Sequence, residues 1–125
     1  MDENEVSRRI IGCALEVQRE LGVGLLESAY SAALACELAA GRLPFELEVP
    51  IPGRYKGQAL GVAYRADFIV AGCVIVEIKA IDAVNELHRA QLLSYLKLSA
   101  LKLGLLINFH AWPLRKGIHR LANKL

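Results

Sequence analysis

Between Asp67 and Lys79 the chain carries two apolar runs, Phe68-Ile69-Val70 and Val74-Ile75-Val76, on either side of Ala71-Gly72-Cys73. Apolar, largely β-branched runs around a glycine turn read as two strands of a hairpin. Three charged residues, Asp67, Glu77 and Lys79, sit where strands this apolar should carry none. Acids are almost never buried unless something pairs with them. Glu77 and Lys79 are two apart, so on a strand they share a face. A two-residue loop at Ala71-Gly72 would turn Asp67 away from Glu77. A three-residue loop, Ala71-Gly72-Cys73, sets the two acids opposite each other. A slip of one residue flips faces, so the second register, or a bulge with the same effect, is predicted.

The rest of the chain reads as α/β. Val6, Ile10, Cys13, Val17 and Leu21 recur at helical spacing and predict a helix over about Glu3 to Leu21, stopped by Gly22-Val23-Gly24. A second helix is predicted from about Leu25 to Ala40, with Leu26, Tyr30, Ala33, Leu34 and Leu38 buried and Gly41 as its cap. Phe45, Leu47, Val49 and Ile51 alternate with polar residues and Pro50, a strand with one wet face. Pro50 and Pro52 set its end at an edge or bend. A turn at Lys56-Gly57 leads into a strand over Gln58 to Val70, and a third strand covers Cys73 to Lys79. A helix over Asp82 to Ser99 and a buried strand over Lys102 to Phe109 follow. Ile118 to Leu121 read as a last short strand or turn. The expected architecture is a small mixed sheet of about four strands flanked by helices. Its third and fourth strands run parallel around the third helix.

With 125 residues the chain is expected to be one domain with one core. Its 54% hydrophobic content is high, which points to a large core or to apolar surface covered by a second copy. A net charge of +2 does not by itself argue for nucleic acid, although Arg115, Lys116, Arg120 and Lys124 stand near the C-terminus without an acid. Cys13, Cys36 and Cys73 are too scattered for a zinc cage or disulfide framework, and three reduced, buried thiols in a cytosolic protein are expected. The acidic N-terminus does not read as a signal peptide. No stretch reaches the roughly 18 uncharged apolar residues of a membrane span.

Asp67 and Glu77 suit magnesium, a hard cation usually held by one or two carboxylates and several waters. The Ile78 carbonyl lies between the charged positions and offers a further oxygen. Such an ion lowers the pKa of a bound water and screens a scissile phosphate. Lys79 could hold the attacking water. The alternative for all three is a salt bridge at a strand end. Gln91 and Tyr95, four apart on the third helix, share a face and could hydrogen-bond a phosphate or orient the lysine. They could equally be the polar edge of an otherwise apolar helix. Glu27, in a first helical turn, either complements the helix dipole or reaches the metal. His88, His110 and His119 have no ligand spacing and read as surface or hydrogen-bonded histidines.

Gly24-Leu25-Leu26-Glu27-Ser28-Ala29-Tyr30 resembles the Gly-x-x-Glu-x-x-Tyr signature of the GxxExxY protein family, placed in the PD-(D/E)xK nuclease superfamily. Tyr64 to Asp67, Val74 to Ala80, Gln91 to Leu96 and Gly104 to Phe109 resemble its later segments in order. The resemblance implies a restriction-endonuclease-like core. It implies Asp67 and Glu77 as metal acids, Glu27 as a helix-borne third acid, and Lys79 as the catalytic lysine. Gln91 and Tyr95 match the Gln-x-x-x-Tyr feature of RecB-like exonucleases. Ala66 stands where many members have proline. The leading expectation is a magnesium-dependent nuclease, with manganese as a substitute, acting on DNA, with RNA as the alternative substrate. The second is a non-catalytic nucleic-acid-binding or interaction module on the same fold. A structural homodimer is the third.

Overall fold

The computed structural model describes residues 1–125. Helix α1 (Glu3–Leu21) begins where the Asp2 carboxylate accepts the Glu5 N–H at 2.8 Å, and Gly22, at φ +70°, ends it. Helix α2 (Glu27–Ala40) follows a short loop. Strands β1 (Phe45–Tyr55), β2 (Gln58–Val70) and β3 (Val74–Lys79) form an antiparallel meander. Helix α3 (Glu86–Ser99) crosses over to β4 (Leu103–Asn108), which pairs parallel to β3. A single 3-10 turn (Leu114–Gly117) leads to β5 (Ile118–Ala122), antiparallel to β4. The spatial order is β1-β2-β3-β4-β5. The expected α/β class holds, with a fifth strand where a strand or turn was expected.

Helices cover both faces of the sheet. Val6, Ile10, Ala14 and Val17 of α1 and Tyr30, Leu34 and Leu38 of α2 pack on Phe68, Val76, Ile78 and Leu105. Leu92 and Leu96 of α3 pack on the other face against Ile75, Ile69 and Leu106. Both faces of β3 and β4 are therefore dry, which is why their sequences are continuous apolar runs. Gly104 lets α3 settle close, since a Cβ there would lie 2.9 Å from Leu92.

Several boundaries differ from expectation for identifiable reasons. The third helix starts at Glu86 rather than Asp82 because Asn85 caps it. The Asn85 side chain accepts the His88 N–H, and the His88 ring accepts the Asn85 N–H. Strand β1 runs through both prolines to Tyr55, which an outermost strand tolerates on its unpaired side. Its expected buried face is only partly so: Ile51 is buried, whereas Leu47 is half exposed. Leu21 and Leu26 are exposed, and the buried stripe of α1 takes in Ser7, Ala14 and Gln18 instead. Gly41 caps α2 as expected, its N–H donating to the Glu37 carbonyl, although the left-handed residue is the next one, Arg42. The three cysteines are free, but Cys36 is exposed and the other two only half buried.

Candidate active site

The β2–β3 ladder pairs Val70 with Val74, Ile69 with Ile75 and Phe68 with Val76, then stops. The loop is thus Ala71-Gly72-Cys73, with Ala71 and Gly72 left-handed, and the next positions across are Asp67 and Glu77. Beyond this point β2 continues with β1 while β3 continues with β4, so the sheet forks. The two acids close the fork. The Asp67 N–H donates to the Glu77 carboxylate at 2.8 Å, and the Ile78 N–H donates to the Asp67 carboxylate at 2.8 Å. The Ile78 carbonyl lies on the same edge of β3 as its N–H and so faces the fork as well. The sequence-predicted register is the one that forms.

Strand alternation breaks here. Ala66 packs on the α3 side, yet Phe68, two residues on, packs on the α1/α2 side. Residues two apart on a regular strand share a face, so β2 turns over at Asp67. Across from it, between the pairs Leu47–Phe68 and Val49–Ala66, Glu48 sits at φ +50°. A left-handed non-glycine residue inside a strand is strained, and such strain gathers at functional sites. The turnover aims Asp67 into a cleft of about 460 Å³ whose lining includes Glu27, Ser28 and Ser31 of α2 and Glu48 of β1.

Buried like charges dominate the electrostatics. Glu77 is 9% exposed. Burial first, then the Asp67 charge, push its carboxyl up to about 8, against the pull of the Asp67 N–H and Lys79. Burial likewise raises Asp67, with the Glu48 charge adding to it and the Ile78 N–H and Lys79 opposing. Partial burial raises Glu27, which also feels Lys79 and Asp67. Lys79 is half buried and acts on all three acids through space, yet no ion pair joins it to them. The ion pairs that form are Arg19 with Glu16 and Glu20, and Arg89 with Glu86.

The neighbouring residues hold this geometry in place. The Phe109 N–H donates to the Lys79 carbonyl, and buried Asn108 bonds both backbone groups of Ile81, so the exit of β3 is clamped. Tyr30 is buried and stacks on Phe109 at 4.7 Å. Its hydroxyl donates to the Gly22 carbonyl and accepts the Leu25 N–H, and the His110 ring donates to the Leu25 carbonyl. The Gly-x-x-Glu-x-x-Tyr spacing therefore has a physical content. Gly24, at φ +98°, makes the loop, Tyr30 staples it, and Glu27 is left exposed at the cleft.

Asp67, Glu77, Ile78 and Lys79 come together at the fork. Glu27 faces them across the cleft but stands off, since no three His, Cys, Asp or Glu side chains converge closely enough to hold an ion by themselves. Tyr95 is half buried, and its phenol is raised by burial and by the Glu77 and Asp67 charges. Gln91 is exposed on the same helix. Sequence reasoning missed two residues. Glu48 read as a wet-face acid, and only its backbone conformation singles it out. Tyr64 stacks on Tyr95 at 3.6 Å, donates to the Tyr95 carbonyl at 3.3 Å, and is raised by burial and by Glu77. An aromatic pair on adjoining elements was the available signal.

The donor chemistry fits a hard divalent cation. Two facing carboxylates without a cationic partner, one buried and one half buried, beside the Ile78 carbonyl, form an all-oxygen set that lacks positive charge. No helix is long and apolar enough to cross a membrane. Neither the curated proteins nor the solved structures contain a match to the chain. The family model for the PD-(D/E)XK nuclease superfamily matches residues 4–121. With nearly its whole length and its forked, acid-bearing sheet accounted for, the chain belongs to the PD-(D/E)XK nuclease superfamily.

Proposed function

We propose that this chain is a single nuclease-like domain that hydrolyses phosphodiester bonds with a bound magnesium ion, and that DNA is its substrate. Within the superfamily we place it in the GxxExxY family, on the Gly24, Glu27 and Tyr30 spacing. The observation that carries the reading is the Asp67–Glu77 pair, Glu77 buried and Asp67 half buried across the fork, with Lys79 beside it and no cation paired to it. Asp67, Glu77 and the Ile78 carbonyl would hold the ion, with Glu27 assisting from across the cleft. A divalent ion there supplies charge to the phosphate and acidity to water. Lys79 orients the water that attacks phosphorus as the bond to the leaving oxygen breaks. Its ammonium offsets the negative charge that gathers on the phosphate oxygens. Tyr95, backed by Tyr64, and Gln91 order the α3 side of the site.

Cleavage of labelled DNA in magnesium tests this reading. Lys79→Ala, folded as well as wild type, is expected to lose roughly 100-fold or more in rate, in line with removal of a preorganised charge donor. Equal rates overturn the role given to Lys79. One observation favours a second reading, a nucleic-acid-binding module without catalysis: three acids do not close on one point. Strand binding by a wild type that takes up neither magnesium nor manganese would select it.

A further inference from the structure

Beyond the fork, β1 and β2 leave the body of the protein as a two-stranded arm. They stay paired from Ile51–Tyr64 to Tyr55–Gln58, and β3 follows neither. Residues 54–63 are exposed throughout. At about 3.3 Å per residue, Gln58 lies roughly 30 Å along the strand from Asp67. The tip is closed by its turn chemistry. Lys56 and Gly57, at φ +49° and +81°, form the two-residue turn that matches strand twist, and Arg54 bonds the Gly57 carbonyl at 3.3 Å.

We infer that this arm holds an unpaired stretch of the nucleic acid whose backbone enters the Asp67–Glu77 site, an inference that rests on the nuclease reading. From Gly53 to Ala66 the arm carries Arg54, Lys56 and Arg65 and no acid. Tyr55, 60% exposed, stands between the first two, with the Lys56 ammonium 5.4 Å from its ring centroid. Cations that track a backbone, interleaved with an aromatic ring for a base, are the means by which single strands are gripped. A second copy suits the arm less well. Its cations would meet their own kind, and Pro50 and Pro52 deny the outer edge two N–H donors for strand addition. Because Arg65 and Asp67 lie on one strand, a backbone held along the arm is delivered to the acids.

Binding of a labelled 15-nucleotide DNA single strand, in EDTA so that no cleavage occurs, tests the inference. Manganese uptake and melting temperature of each variant serve as controls. Arg54→Ala/Lys56→Ala is expected to flatten the slope of log affinity against log salt by about 1.4, from two phosphate contacts at ~0.7 each. Tyr55→Ala is expected to weaken binding about tenfold with the slope unchanged. A blunt duplex is expected to bind several-fold more weakly than the single strand. Wild-type affinity in both variants, or equal affinity for duplex and single strand, overturns the arm. So does an arm-dependent dimer by sedimentation that binds no strand. Arm-dependent strand binding without manganese uptake would leave the arm standing and remove the nuclease reading.

Discussion

Glu77 is placed where its own charge is unwelcome. The fold raises its carboxyl from an ordinary 4.5 to about 8, so the folded state holds a proton that the unfolded chain releases. The stability that Glu77 contributes to the metal-free protein is therefore full below about pH 4.5 and is lost as pH rises through 8, by up to about 1.4 kcal/mol per pH unit. Urea melts at pH 5, 7 and 9 are expected to show this decline, magnesium to lessen it, and Glu77→Gln to flatten it without metal. A metal-free wild type that is more stable at pH 9 than at pH 5 would contradict the assignment. Tyr30 tests the loop that sets Glu27. Tyr30→Phe keeps the stacking on Phe109 but removes both hydroxyl bonds. About 1–2 kcal/mol of stability should go with them, and cleavage should fall further than that loss of folded protein explains. Calorimetry alongside initial rates separates the two effects.

At the scale of elements, the fork creates the site. Strands β2 and β3 pair for three residues and then part, and the acids sit at the point of parting. This was legible in the sequence from the acids alone, because only a three-residue loop puts Asp67 across from Glu77; the apolar runs, dry on both faces, would tolerate a slip. The helices were legible from their periodicity and from the glycines that end α1 and α2, but not the Asn85 cap that sets the start of α3. What could not be read was non-local. The turnover of β2 at Asp67 lies across from Glu48, nineteen residues earlier in a partner strand, and alternation in β1 reads as an ordinary wet face. The stand-off of Glu27 depends on how α2 seats on the sheet, which no spacing encodes. The extension of β1 past two prolines depends on its place at the edge of the sheet. The seating of α3 offers a test at this scale. Gly104→Ala thrusts a methyl against the whole Leu92 side chain, with contacts of 2.9 to 3.1 Å. It should cost about 1–3 kcal/mol in denaturation experiments, and the Tyr64–Tyr95 stack should loosen with it.

Over the whole molecule, a continuous apolar body carries its polar chemistry at one end of the sheet, with a basic arm reaching away from it. We propose that the high apolar content serves the two-sided core rather than a dimer, since β3 and β4 are dry on both faces. Sedimentation at micromolar concentration should then report a monomer. The chemistry of the site rests on whether the fork gathers a divalent ion. Manganese binding followed by electron paramagnetic resonance, in wild type and in folded Asp67→Asn/Glu77→Gln, measures this most directly. Uptake by wild type is expected near pH 8, with a rise in stability of about 2.7 kcal/mol at a hundredfold excess over the dissociation constant, and none by the variant. Equal uptake by both proteins, or none by wild type, would contradict that expectation.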